Sequence, residues 1–279
     1  MTRISPSHPR YRSLLTRARL ATELRTGLVV PEGLIAHGRA EAFDYFLGER
    51  TTPSARRALQ RAAEWLVAAE APVISVNGNV AALAAEAVAR LARTLPGLQV
   101  EVNLFHRTPG RAREVARRLR SAGIRHVLGL RPTGRIPGLP SDRAQVDRRG
   151  IGRADVVLVP LEDGDRTEAL KRLGKRVISI DLNPLSRTSV AADLPIVDEL
   201  QRALARLARE IPSARRRARP GLFVTFDAEA ARADALEAIS RRLAAAAGRP
   251  PPPAGPSRRA TRRARPRRTG IGRRTHRTP

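Results

Sequence analysis

Between Asp181 and Thr188 the chain reads Asp-Leu-Asn-Pro-Leu-Ser-Arg-Thr, directly behind the apolar run Arg176-Val-Ile-Ser-Ile180. Carboxylate, amide, hydroxyl and guanidinium groups crowd into this short span. The run ahead of them reads as a buried strand, which puts the polar groups at its carboxyl end. In open α/β sheets that end is where ligands bind. Comparable clusters trail other apolar runs: Asn77-Gly78-Asn79, Asn103 to Thr108 with His106 and Arg107, Arg131 to Gly138, and Glu162 to Arg166. One such cluster is ordinary turn chemistry. A succession of them at strand ends predicts an active site along one sheet edge.

Each cluster suggests its own chemistry. Asn79 is placed to cap the helix that follows, leaving free amides as an anion site. Glu162, Asp163 and Asp165 offer oxygen ligands suited to Mg²⁺, and read equally well as a polar turn capping the next helix. His37 and His106 are candidate acid/base groups or hydrogen-bonded structural histidines. No two histidines stand four apart on a helix, which argues against zinc. Neither a Gly-x-Gly-x-x-Gly after the first strand nor a Gly-x-x-x-x-Gly-Lys-Ser/Thr loop is present. Nucleotide-dependent redox chemistry, the alternative enzyme class for such a sheet, is disfavoured accordingly.

The elements that must position these clusters alternate regularly. Strands are expected at Pro72–Val76, Leu98–Leu104, His126–Leu130, Asp155–Leu161, Arg176–Leu182 and Leu194–Val197. Helical patterns fall between them at Val80–Leu95, Gly110–Ala122, Gly164–Leu173 and Asp198–Ile211. The spacing of roughly 20–28 residues suits βαβ crossovers. The expected fold is α/β, a parallel sheet with helices on both faces. Ahead of it, Tyr11–Thr26 and Pro53–Ala71 read as helices flanking a loop; after it, Pro220–Asp227 reads as an edge strand or loop and Ala228–Ala247 as a C-terminal helix. Residues 1–71 are thus expected as an N-terminal helical segment packed on the sheet edge of the core 72–248, the two making one functional domain.

Composition bounds the rest. The chain has 279 residues, no Cys and a formal charge of +27. Disulfides, thiolate metal sites and a Cys nucleophile are excluded. No run reaches the ~18 apolar residues of a membrane span, so the protein is expected to be soluble and cytoplasmic. Residues 249–279 hold eleven Arg and no acid. Such a segment cannot bury enough apolar surface to order itself and is expected to be a disordered basic tail. Only Lys171 and Lys175 among the basic residues are Lys, a bias that suggests genome composition. A basic surface still attracts anions, so nonspecific nucleic-acid contact through the tail is the alternative from the binding-module class. The tail holds no aromatic residue for base stacking.

Several long strings, in unbroken order, carry a resemblance. They are Ser5-Pro-Ser-His-Pro-Arg-Tyr11, Gly33-Leu-Ile-Ala-His-Gly-Arg39 with Glu41-Ala-Phe-Asp-Tyr45, and Pro72-Val-Ile-Ser-Val-Asn-Gly-Asn79. Glu101-Val-Asn-Leu-Phe-His-Arg-Thr108, Ala154 to Arg166, and Gly174-Lys175 through Ile180 to Thr188 complete the set. Over roughly residues 5–245 the chain resembles the archaeal phosphopantothenate synthetases, also called 4-phosphopantoate–β-alanine ligases. That resemblance implies a homodimer with a Rossmann-like fold. It implies a ligase of coenzyme A biosynthesis that joins 4-phosphopantoate to β-alanine, consuming ATP and releasing AMP and pyrophosphate. The family's ATP-contacting positions carry over to Arg17, Arg39, Asp181, Leu182, Asn183, Arg187 and Thr188, and to Glu199 and Leu200 in a less distinctive string. Arg17, Arg39 and Arg187 would hold phosphates, with Thr188 on oxygens of the same groups and Asp181 and Asn183 on ribose or adenine edges. Asn77, Asn79, His106 and Arg107 are candidates for phosphopantoate, and Asp163 and Asp165 for Mg²⁺. Two departures stand out: Ala40 where Gly is expected, and Gln145 where Lys is expected. No general base for the β-alanine amine is identified.

Overall fold

The computed structural model describes residues 4–8 and 10–250. The expected basic tail lies outside the described residues from 251 onward. Three helices come first, α1 (Tyr11–Arg25), α2 (Pro31–Leu47) and α3 (Pro53–Ala68). β1 (Pro72–Val76), α4 (Gly78–Thr94), β2 (Gln99–Val102) and α5 (Pro109–Ser121) follow. A small hairpin of β3 (Gly134–Arg135) and β4 (Gln145–Val146) precedes β5 (Val156–Pro160), α6 (Gly164–Arg172), β6 (Arg176–Ile180), α7 (Arg187–Ala191) and β7 (Leu194–Ile196). α8 (Leu200–Arg215) and α9 (Ala228–Ala246) complete the described chain.

The main sheet has five parallel strands in the order β2-β1-β5-β6-β7. From β1 the chain goes to β2 on one side, then returns past β1 to place β5 on the other. The order reverses between β1 and β5, the switch point at which doubly wound sheets open a crevice.

Alternation along the strands splits the core in two. Ile74, Val76, Val100, Val102, Val156, Leu158, Ile178 and Ile180 share one cluster with α3, α4, α5 and α8. Alanines on those helices (Ala58, Ala62, Ala81, Ala85, Ala203) keep the packed faces narrow. Val73, Val157, Val159 and Val177 face the other way, against Ala169 and Leu170 of α6 and Ile136, Leu139, Val146 and Ile151 of the hairpin region. Toward the carboxyl ends this second face turns polar, carrying Ser75, Glu101 and Ser179, all buried.

Side chains at the starts of the helices explain where they begin. Thr52 and Thr108 accept from Ala55 N and Arg111 N, both at 3.1 Å, with Pro53 and Pro109 opening the helices. Such caps satisfy amides that a first turn leaves unpaired.

Two expectations need correction. His126–Leu130 is no strand. Leu128 makes one parallel bridge with Glu101, and Gly129, at φ 81 and tight against Val102 O, turns the chain away at once. The loop placed between the first two helices is the 17-residue α2, so Arg39 stands on a helix. Pro31 starts it and Gly48, at φ 84, ends it, but only Glu41 and Leu47 are buried, so no continuous apolar stripe marks it in the sequence. Of the two readings of residues 220–227, edge strand or loop, the loop holds, with a single bridge of Leu222 to Arg219. The β3–β4 hairpin and α7 were not anticipated. Among the described residues, no helix is long and apolar enough to cross a membrane.

Candidate functional site

α2 roofs the carboxyl edge of the sheet. Its first turn meets the start of α4, where Asn79 Nδ2 donates to Gly33 O at 2.8 Å. Its far end lies over the opposite strands: Leu47 is buried with Leu182 behind β6, Val197 behind β7 and Ile239 of α9. Asp44 accepts two bonds from Arg202 of α8, at 3.0 and 2.5 Å. The helix thus runs across the edge from β1 to β7, with His37, Arg39 and Glu41 between its anchors.

Under this roof the 181–188 segment closes on itself. The Asp181 carboxylate accepts from Asn183 N at 2.9 Å and Ser186 Oγ at 2.6 Å, and Asn183 Oδ1 accepts from Leu185 N at 2.9 Å. Ser186 Oγ in turn caps α7 through Ser189 N at 3.1 Å. Burial raises the pKa of Asp181, with Ser186, Asn183 and the positive field of Arg39 opposing. Leu182 is buried in the apolar cluster below α2.

The remaining nucleotide candidates fall nearby. Glu199 caps α8, accepting from Gln201 N and Arg202 N at 2.9 Å, and burial raises its pKa; Leu200 is buried. Gln201 reaches Thr16 Oγ1 of α1 at 3.4 Å. Arg17 is gripped by Glu41, Nε to Oε2 at 2.8 Å and Nη2 to Oε2 at 2.7 Å. Burial pushes Glu41 up, but Arg17, Ser13 and Tyr45 outweigh it and hold the carboxyl below its usual range. Burial also lowers the pKa of His37, whose Nε2 is buried without a partner. Arg187 and Thr188 lie toward β5. Thr188 Oγ1 donates to Glu162 O at 2.7 Å. Arg187 pairs with Asp165 at 2.6 Å and Glu168 at 3.2 Å, lining an open groove of about 470 Å³ between α6 and α7. Arg17, Arg39, Asp181–Asn183 and Glu199–Leu200 therefore share the α2 roof, while Arg187 and Thr188 stand at its β5 side.

At the switch point, Asn77 Nδ2 donates to Leu161 O at 2.9 Å and Pro160 O at 3.3 Å, and its Oδ1 accepts from Val80 N at 3.0 Å. Asn77, not Asn79, caps α4. Leu161 sits at φ 51, a region that side chains seldom enter and that clusters at functional sites. Both asparagines proposed for substrate thus have protein partners.

Beneath them lies a buried ionic cluster. Arg166, fully buried, donates to Ser75 Oγ at 3.0 Å and Arg143 O at 3.2 Å and pairs with Glu162. Arg143 pairs with Glu162 and with Asp163 at 3.2 Å, and lies over the exposed Phe105 ring at 5.9 Å. Burial pushes both guanidinium groups down to about 10, so the nearby carboxylates do not fully offset the cost of burying them. Arg166 Nη2, Arg107 Nη1 and Asn103 Oδ1 are buried without partners. Spare guanidinium donors of this kind suit a phosphate or carboxylate. Arg107 also donates to Leu130 O at 3.2 Å, and His106 Nε2 lies 3.5 Å from Glu32.

The carboxylates considered for Mg²⁺ are turned elsewhere. Asp163 caps α6 through Arg166 N at 2.8 Å as well as pairing with Arg143, and Asp165 pairs with Arg187. Among the described residues, no three acids or histidines gather as a metal site. These residues do not form a preformed cage for the ion. The two departures are quiet: Ala40 is helical with no positive φ, and Gln145 donates to Asp142 at 3.1 Å. Sequence reading missed Arg143 and Glu101. The one signal was Glu101, an acid inside an apolar strand run.

The sequence profile of the Phosphopantothenate/pantothenate synthetase family matches residues 54–242. A 4-phosphopantoate--beta-alanine ligase of Methanospirillum hungatei is 56% identical over 206 residues, covering 74% of this chain and 84% of the relative. Another, of Thermococcus onnurineus, is 53% identical over 215 residues (76% of this chain, 82% of the relative). A third, of Methanosarcina mazei, is 48% identical over 246 residues, covering 87% and 96%.

Proposed function

Because the chain belongs to the phosphopantothenate/pantothenate synthetase family, we infer that it is a 4-phosphopantoate–β-alanine ligase acting in coenzyme A biosynthesis. The carrying observation is the agreement of that membership with two anion-seeking regions on one sheet edge. ATP is the energy source. A carboxylate has no good leaving group, and adenylation supplies one. An oxygen of the phosphopantoate carboxylate attacks the α-phosphorus and pyrophosphate departs. The β-alanine amine then attacks the acyl carbon, AMP leaves, and the amine loses its proton. No protein nucleophile is needed, so catalysis is mainly positioning and charge stabilisation.

In this reading Arg17, Arg39 and Arg187 meet the phosphates of ATP, with Thr188 and the first amides of α7 beside them. Asp181 and Asn183 have their side chains engaged in their own turn, so Asp181–Asn183 would present backbone edges to the ribose or adenine, next to Glu199 and Leu200. Arg143 and Arg107, with His106 at the rim, would take the phosphate of phosphopantoate, while Asn77 and Asn79 shape the wall. Mg²⁺ would enter with the triphosphate and neutralise its charge, held largely by phosphate oxygens and water. A cytoplasmic homodimer belongs to the proposal; Leu15, Ile35 and Phe46, exposed on α1 and α2, are apolar residues a second copy would cover. The alternatives, redox chemistry on the sheet and nucleic-acid binding through the tail, draw no support from the relatives.

The test is an AMP-release assay with ATP, 4-phosphopantoate and β-alanine, omitting each in turn. AMP should be released only with the complete mixture, while ATP and phosphopantoate without the amine should exchange labelled pyrophosphate into ATP. ADP and phosphate as products would overturn the adenylate route.

A further inference from the structure

The segment that carries Arg143 has little regular structure to hold it. Between the Leu128 bridge and β5 it forms a hairpin of two-residue strands, a single 3₁₀ turn over Asp142–Ala144 that carries Arg143, and a wide turn over Arg148–Gly152. Strands this short are marginal on their own. What fixes the segment is a pair of side chains two residues apart, Glu101 on β2 and Asn103 just beyond its end. Glu101, fully buried, accepts from Asp147 N at 2.9 Å and Ile151 N at 2.7 Å. Asn103 donates through Nδ2 to Arg143 O at 3.1 Å and Gln145 O at 3.0 Å. Gly150 lies so close that a Cβ there would strike the Glu101 carboxylate. Four bonds from two side chains at the end of β2 therefore run to the backbone of one irregular segment.

The fit is chemically complementary. The wide turn offers amides and meets a carboxylate; the stretch before it offers carbonyls and meets an amide nitrogen. Arg166 adds a second bond to the Arg143 carbonyl from α6. The backbone of Arg143 is thus set by β2 and α6, while its guanidinium faces Glu162 and Asp163 at the end of β5.

We propose that Glu101 and Asn103 are positioning residues for the phosphopantoate half of the site, holding Arg143 in register with the sheet edge without touching substrate. This rests on the reading of Arg143 as a phosphate ligand. A ligand-bearing segment displaced by an ångström loses much of its catalytic value. Loss of either staple should therefore weaken phosphopantoate binding and leave the ATP half, built on α2, β6 and α8, unaffected.

The experiment uses the full chain with Glu101→Gln, Asn103→Ala, Asn103→Asp and Arg143→Ala. Steady-state KM for phosphopantoate, KM for ATP and kcat are read separately, with hydrogen exchange over residues 144–152. The staple variants should raise the phosphopantoate KM about tenfold, as two lost bonds imply, with the ATP KM within about twofold and faster exchange in the wide turn. Asn103→Asp should hit harder than Asn103→Ala, because it turns a carboxylate on two carbonyls while keeping the volume. A merely space-filling role gives the reverse order and overturns the proposal. So does an equal rise in both KM values, or unaltered exchange. If Arg143→Ala raises the phosphopantoate KM and the staple variants do not, positioning fails while the ligase reading stands. If Arg143→Ala leaves that KM unmoved, Arg143 itself is misassigned.

Discussion

The two halves of the carboxyl edge are built on opposite principles. Under α2, the polar groups at β6 and β7 are spent on their own backbone: Asp181, Asn183, Ser186 and Glu199 close turns and cap helices within five residues of themselves. At the switch point the polar groups reach far along the chain: Arg166 to Ser75, Arg143 to Glu162, Glu101 to Ile151. The first half is a set of local turns that present backbone and leave arginines at the rim. The second is a buried charge cluster whose geometry exists only in the folded molecule. The contrast teaches where each half is vulnerable. Local caps fail singly and cheaply, whereas a buried ionic cluster fails as a unit.

The largest effect expected from that contrast is at Glu162. Its side chain is almost wholly buried between Arg143 and Arg166. Glu162→Ala would leave two guanidinium groups facing each other and should cost about 3–5 kcal/mol, read by urea unfolding. A loss below about 1 kcal/mol would mean that water or a rearranged Asp163 already compensates, and the halves would then differ less than argued. Next come Arg39→Ala and Arg187→Ala, each expected to remove a charge-assisted contact of about 1.5–3 kcal/mol. That corresponds to roughly tenfold to hundredfold weaker ATP binding by isothermal titration. Arg→Lys should restore only part, since an ammonium lacks the fork. Unchanged affinity in both alanine variants sinks their assignment to ATP.

Glu101 gives a smaller, pH-dependent effect. Burial pushes its carboxyl up from an ordinary 4.5 to about 7, against the bonds from Ile151 and Asp147. The folded state therefore holds a proton that the unfolded chain releases between those two values. This contribution to stability is complete below about pH 4.5 and is lost as pH rises through 7, on the order of 3 kcal/mol at most. Denaturation of the parent protein and Glu101→Gln across pH 5 to 8 should show the slope in the first and a flatter curve in the second; parallel curves would remove Glu101 as its source. Smallest is Ser186→Ala, which deletes one cap and one bond to Asp181. It should cost about 1 kcal/mol and raise the ATP KM without moving the phosphopantoate KM. A shift in both would show that the halves are coupled.

The same contrast decides what could be read from the sequence. β1, β5, β6 and β7 were legible because short β-branched runs bounded by turn residues read as strands buried on both faces. The Asp181–Thr188 turn was legible because Asp, Asn, Ser and Pro act within a few residues. α2 was not, because it buries few of its side chains and bridges elements instead of packing one stripe on a core. Arg143 was not, because its partners lie at Glu162 and Asp163 and its backbone is set from Asn103. Nothing local distinguishes it from the many solvated arginines around it. Asn77 and Asn79 were seen as a pair, yet their roles were exchanged, since which of two asparagines caps a helix depends on where the first turn begins.

α2 also sets an order of assembly. It is complete once about fifty residues have been made, yet its far end rests on Leu182, Val197, Arg202 and Ile239. A ribosome synthesising this chain must expose the helix for most of translation before its seat exists. Its nascent form should be cut by protease in chains stalled near residue 180 and protected once residue 239 has emerged from the exit tunnel. A helix made early is thus seated late, and the nucleotide half of the site should become competent only once that seat has emerged.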